Sequence, residues 1–164
     1  MKSFDIIASV NDNAIKEKLK EPYPTLSVIG RFYIRFGEKA LPNSEWDDFV
    51  FIVVTWWLKD LLTLLKKGRV RCDFMDDNYK MDLTIYPNTS ALRFSFFHEG
   101  LDIYYVKDEQ IQLDEYVKAL FRVASMLDKQ ITRIDSQVST TCNDYVDFKE
   151  NKKKAEKAWR DYVS

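Results

Sequence analysis

The sequence predicts an α+β fold: a mostly antiparallel sheet of about five strands with helices packed mainly on one face. Three observations carry that expectation. From Arg69 to Val106, apolar and polar residues alternate through four strand-length runs. The segment "SEWDDFVFIVVTWWLKDLLTLLKKG", Ser44 to Gly68, reads as one long apolar helix. From Leu113 to Ile134, apolar residues recur at helical spacing.

The Ser44–Gly68 segment is read as a core helix because a membrane span needs about 20 apolar residues. Here the run from Phe49 to Leu58 is broken by Lys59 and Asp60. A charge at the bilayer centre costs roughly 2.5 kcal/mol or more. Ser44 and Asp47 have the spacing of a capping box, Lys66 and Lys67 suit the negative end of the helix dipole, and Gly68 is a natural stop. At 100° per residue, Asp48, Thr55, Lys59, Thr63 and Lys66 fall on one wet stripe. Trp46, Val50, Val53, Trp57, Leu61 and Leu64 form the opposite, buried face.

Upstream, residues 1–28 hold a short candidate strand, "SFDIIASV", and a polar helical stretch from Asn13 to Lys20 closed by Pro22 and Pro24. "GRFYIRFG" alternates as a half-buried strand with Phe32, Ile34 and Phe36 on one face. Downstream, four strands form a meander. A tight turn at Asp77-Asn78 pairs Phe74 with Met81. The turn Pro87–Ser90 pairs Ile85 with Leu92, and a tight turn at Glu99-Gly100 pairs Phe96 with Ile103. Every inward residue then meets an inward residue, which a one-residue slip would destroy. After the Leu113–Ile134 helix, a Ser/Thr-rich break precedes an amphipathic helix at 143–163, with Tyr145, Phe148, Ala155, Trp159 and Tyr162 on its apolar stripe.

At 164 residues the chain suits one domain with a sizeable core. Its 46% hydrophobic and 15% aromatic content argues against disorder. A net charge of -1 does not favour a nucleic-acid or membrane surface. The two cysteines, Cys72 and Cys142, read as reduced thiols, and "MKSFDIIASVND" lacks the features of a signal peptide, so the expectation is cytoplasmic. The basic run "KENKKKAEKAWR" is interleaved with acids and reads as the solvated face of the last helix.

No motif announces a reaction. GxSxG, a Gly-rich phosphate loop, HExxH and CxxC are all missing from the sequence. The single histidine, His98, falls near a turn on the inward face. Asp73, Asp76 and Asp77 lack the spacing of a calcium loop, so neither metal nor cofactor is expected. A carboxylate pair such as Asp73 and Asp82 has the groups for acid–base work, but on an open sheet face without a cleft. The expectation is a protein that is not an enzyme.

The predicted register also places the outward residues. One row reads Asp73–Asp82–Ser95–Tyr104, flanked by Arg71–Thr84–Arg93–Val106 and by Met75–Lys80–Phe97–Asp102. Two opposed aspartates repel, whereas aromatics, Met and Arg are enriched at protein interfaces. The candidate partner-binding residues are therefore Asp73, Asp76, Asp77, Asp82, Phe97, Asp102 and Tyr104.

"GRFYIRFGEKALP", the Trp-rich "WWLKDLLTLLKKG" and "DFMDDNYKMDLTIY" together resemble bacterial immunity proteins of polymorphic toxin systems, of the contact-dependent growth inhibition type. The resemblance spans roughly Gly30 to Val106. It implies a cytoplasmic single-domain protein that binds one cognate toxin domain and blocks its active site or substrate surface. Toxins of this kind are often basic nucleases. No partner-contacting residues carry over, because such proteins meet their toxins through variable surfaces. A generic interaction module and an enzyme with an unrecognised site are the alternative classes.

Overall fold

A computed structural model describes all 164 residues. It has five helices and eight strands in two antiparallel sheets, so the α+β class holds while the strand count exceeds the expected five. The first sheet joins β1 (Phe4–Ser9), β2 (Ile29–Phe36), β3 (Lys39–Leu41) and β4 (Asp47–Phe49), with the short helix α1 (Asp12–Leu19) between β1 and β2. Both β3 and β4 pair with β2. The second sheet is a meander in chain order: β5 (Arg69–Asp73), β6 (Tyr79–Ile85), β7 (Ala91–His98) and β8 (Ile103–Gln112).

Glycine is required at Gly30, on β2. A Cβ there would lie 2.5 Å from the Ser9 carbonyl oxygen, so a side chain would force β1 and β2 apart.

Between the sheets runs α2 (Val50–Lys67). It is shorter at its start than the sequence predicts. Asp47–Phe49 pair with Ile29–Arg31 as β4, so Ser44 and Asp47 form no capping box, and Phe49 at the N-cap makes no side-chain cap bond. Strand pairing wins because the Asp47-Asp48-Phe49 triplet satisfies its backbone against β2 and turns Asp48 inward. The other end is as expected: Gly68 is left-handed at φ 78° and its N–H closes on the Leu64 carbonyl. Two members of the expected wet stripe, Asp48 and Thr55, are buried; Thr55 Oγ1 donates back to the Phe51 carbonyl at 2.7 Å. Trp57 is fully buried, edge-on to Phe32 and Phe74. No helix is long and apolar enough to cross a membrane.

The helix α3 (Leu113–Ile134) lies where the periodicity predicts and buries Tyr116, Val117, Leu120, Ala124, Leu127 and Ile131. A short turn of helix, α4 (Val138–Thr141), occupies the Ser/Thr-rich break before α5 (Asn143–Val163). α5 packs along α2, with Phe148 against Phe51, and is tied to α3 where Asp128 accepts bonds from Tyr145 and Lys149. Its basic run forms pairs one turn apart, Glu150–Lys154, Lys152–Glu156 and Lys157–Asp161. The predicted apolar stripe fades toward the end: Tyr145, Phe148 and Ala155 are buried, Trp159 is half-buried and Tyr162 exposed. One contiguous core joins both sheets, α2, α3 and α5.

The meander differs from expectation at both outer strands. The central β6–β7 hairpin has the predicted register, with Ile85 opposite Leu92 and Leu83 opposite Phe94. On β5, however, Cys72 rather than Phe74 faces Met81. The strand stops at Asp73 because Phe74 turns into the core between Trp57, Phe32 and Phe96. The Asp76 N–H is captured by the buried Asp48 carboxylate. β8 begins after a four-residue turn, Glu99–Asp102, closed by Asp102 N–H on the Glu99 carbonyl with Asp102 at φ 51°. Two irregularities then interrupt its ladder with β7. As a result Leu101, Ile103 and Tyr105, expected inward, are exposed, and Val106, expected outward, is buried opposite Phe96.

Candidate functional site on the outer face of the second sheet

The helices pack on the inner side of the β5–β8 sheet, and α5 lies against α2 and α3. The outer side carries the residues singled out from the sequence, but in rows that the register shifts of β5 and β8 rearrange. They read Arg69–Thr84–Arg93–Gln110, then Arg71–Asp82–Ser95, then Asp73–Lys80–Phe97–Tyr104.

The expected repulsive pair of Asp73 and Asp82 is therefore not formed. Asp73 sits opposite Lys80 and contacts it at 2.9 Å. Asp82 sits opposite Arg71, whose Nε and Nη2 donate to the two carboxylate oxygens at 2.7 and 2.9 Å. That fork is the preferred guanidinium–carboxylate geometry, and it holds Arg71 4.9 Å from the centre of the Phe97 ring. Phe97 in turn stacks on Tyr104 with centroids 5.0 Å apart. The Lys107 ammonium lies 5.0 Å from the Tyr104 centroid. Phe97 points outward yet is only 6% exposed under these neighbours, whereas Tyr104 is 46% exposed. Beside them Asp108, left-handed at φ 52°, has its N–H bonded to Ser95 Oγ and its carboxylate 3.8 Å from Arg93.

The two hairpin tips meet at one end of this face. The Asn78 carbonyl accepts the Glu99 N–H at 3.0 Å. His98 Nδ1 accepts the Leu101 N–H, which leaves the proton on Nε2, 2.9 Å from Asp77 Oδ1. The histidine is thus a buried brace between tips. The Asn78 N–H and then His98 hold the Asp77 carboxyl below the usual range. Asp76, Asp77, Glu99 and Asp102 project at this end among the exposed Met75, Leu101, Ile103 and Tyr105. The structure thus groups Asp73, Asp76, Asp77, Phe97, Asp102 and Tyr104 around one end, with Asp82 one row further along the sheet. Asp102 lies in the turn and not beside Phe97, where the sequence placed it.

Two polar features escape the sequence reading. Asp48 is 1% exposed and accepts the N–H groups of Phe49 and Asp76, with the Trp46 indole 3.4 Å away. Burial pushes its carboxyl up against the lowering effect of those bonds. The alternation of Asp47-Asp48-Phe49 with "IGR" of β2 was the available signal. The second is Asp60, one of the two charges that break the apolar run of α2. It lies half-buried beside the Cys72 thiol, and burial pushes it up to about 6. The Cys72 thiol is raised by burial too, and the nearby Tyr116 hydroxyl is buried without a hydrogen-bond partner.

Comparison of the chain with protein-family models, with curated proteins and with solved structures returns no match.

Proposed function

We propose that this chain is an immunity protein that binds and neutralises a cognate bacterial toxin domain in the cytoplasm. The observation that carries the reading is Tyr104. It is a half-exposed aromatic, held rigid by Phe97 and bordered by an acidic, apolar hairpin end, on a sheet face that no helix covers. Rigid aromatics near the middle of a patch are the residues that dominate binding energy at interfaces. The resemblance to immunity proteins read from the sequence over Gly30–Val106 supports the same reading. So does the side-chain chemistry, because the outer-face carboxylates Asp73, Asp82 and Asp108 are each engaged with a cation rather than left free as an acid or base.

The toxin-facing residues are Tyr104 with Phe97 beneath it, the tip residues Asp76, Asp77 and Asp102, and the Asp73 and Asp82 pairs behind them. The uncompensated acids at the tips suit a basic toxin, such as a nuclease. The experiment is co-expression with a candidate toxin domain taken from a gene neighbouring this chain's own, scoring growth and co-purification together. Growth rescue accompanied by a stable complex is expected. Rescue without a complex, or a complex without rescue, overturns the reading.

A further inference from the structure

The largest concavity of the molecule, about 940 Å³, lies away from the hairpin tips, where the end of α5 approaches the β6–β7 turn. Its apolar wall is Leu65, Ile85, Tyr86, Trp159 and Tyr162, the last two stacked with ring centroids 5.8 Å apart. A second concavity of about 710 Å³ occupies the outer sheet face itself. Arg69 and Thr84 line both, so the two run into one trough across the start of β5 and the end of β6.

The charges along this trough are unbalanced. Its carboxylates are Asp82, Asp108 and Asp114, and each has a cation of the chain: Arg71, Arg93 and Lys118 respectively. Its cations also include Lys67, Arg69 and Lys107, and none of these has a carboxylate oxygen within 4.0 Å. A chain of net charge -1 thus gathers spare positive charge along this trough. Stacked, partly exposed aromatics stand at one end of that surface. Exposed cations next to solvent need no partner for stability, but cations in line with an apolar groove define what fits there.

We infer that the trough binds an acidic protein segment bearing an apolar anchor. The anchor fills the groove of Trp159, Tyr162 and Tyr86, and carboxylates reach Arg69, Lys67 and Lys107. This goes beyond the immunity reading: the trough shares Asp82 and Tyr104 with the proposed toxin face but extends to the cationic end of the sheet, opposite to the acidic tips, and it is testable with no toxin present.

The probe is a synthetic Glu/Asp-rich peptide carrying one phenylalanine, titrated into the full-length protein at low and moderate salt. Saturable, salt-sensitive binding is expected. It should weaken about tenfold in the double variant Arg69→Glu with Lys107→Glu. It should weaken again for a peptide with the phenylalanine replaced by serine, and in Tyr162→Ala, whose exposed side chain leaves the fold intact. Lys16→Glu on α1, a charge change remote from the trough, should leave binding unchanged. No binding, or binding equal in the double variant and wild type, overturns the inference. Tighter binding of a single-stranded oligonucleotide at the same residues would overturn it in favour of nucleic acid. A concentration-dependent dimer that Tyr162→Ala abolishes would overturn it in favour of a second copy of this chain.

Discussion

The indole N–H of Trp57, at the centre of α2, donates to the main-chain carbonyl of Asp73 on β5 at 2.8 Å. The bond joins the core helix to the last residue of a strand whose outer side carries the candidate docking face. The Trp57 ring also packs edge-on against Phe32 of β2 and Phe74, the residue that follows β5. Trp57→Ala therefore removes a full aromatic volume and a buried bond together, and should cost about 3–5 kcal/mol. Trp57→Phe, which keeps most of the packing and loses the donor, should cost less. Urea unfolding of both variants measures this. A Trp57→Ala protein that melts within a few degrees of the parent would mean that α2 is not the core helix.

Asp60 makes stability depend on pH in a direction opposite to that of most carboxylates. An unperturbed aspartate titrates near 3.8, and in the fold Asp60 is pushed up to about 6, chiefly by burial. Below the lower value it is neutral in both states, and its burial carries no charge cost. As the pH rises through this window the unfolded chain ionises first, so stability falls, and the loss is complete once the pH exceeds the folded value. Asp60→Asn should therefore stabilise the protein at about pH 8 and change it much less at about pH 4. Denaturant titrations at the two pH values test this, and an equal change at both would exclude charge burial as the cause.

The distinction between face and register explains what could be read from the sequence. Alternation has a period of two, so it assigns faces and detects a one-residue slip, but a two-residue slip is invisible to it. The strand β5 slipped by that amount, whereas β8 starts two residues out and its two irregularities then widen the offset and turn Val106 inward. Charge would have told them apart on β5: the true register sets Arg71 against Asp82 and Asp73 against Lys80, whereas the expected one opposed two aspartates. What sets the slip is tertiary. Asp48, from a strand hidden at the head of the predicted helix, captures the Asp76 N–H and lengthens the turn. The trough was illegible for a related reason. Lys67 with Arg69, then Tyr86, Lys107 and Trp159 come from four separate stretches of chain that no periodicity connects. Elements with a long regular stripe, such as α3, needed no such information.

Tip charges and the central aromatic should fail in different ways when the toxin is the ligand. Asp76 and Asp77 are exposed at the rim, where charge steers encounter more than it holds the complex. Asp76→Asn with Asp77→Asn should slow association and flatten its salt dependence, leaving dissociation nearly unchanged. Tyr104→Ala should instead speed dissociation, at a cost of about 2 kcal/mol. Surface plasmon resonance at several salt concentrations separates the two rates. If the tip variant altered only dissociation, steering by these residues would be ruled out.

Asp82→Lys tests whether the outer face is used at all. The Arg71–Asp82 pair is half-exposed, with side-chain accessibilities of 50% and 36%, so losing it should cost at most about 1 kcal/mol of stability. Its consequence for shape is larger. The Asp82 carboxylate is what holds the Arg71 guanidinium beside Phe97, and Phe97 is the surface on which Tyr104 stacks. A lysine at that position repels Arg71, uncovers the Phe97 ring and frees Tyr104 to leave its stacked rotamer. The variant should therefore melt within a few degrees of the parent while binding the toxin domain at least tenfold more weakly. Restoring the pair in reverse, Arg71→Asp with Asp82→Arg, should recover part of the lost affinity if geometry is the cause, because the guanidinium again has a carboxylate opposite. A folded Asp82→Lys protein with unchanged affinity would remove this face from the binding site.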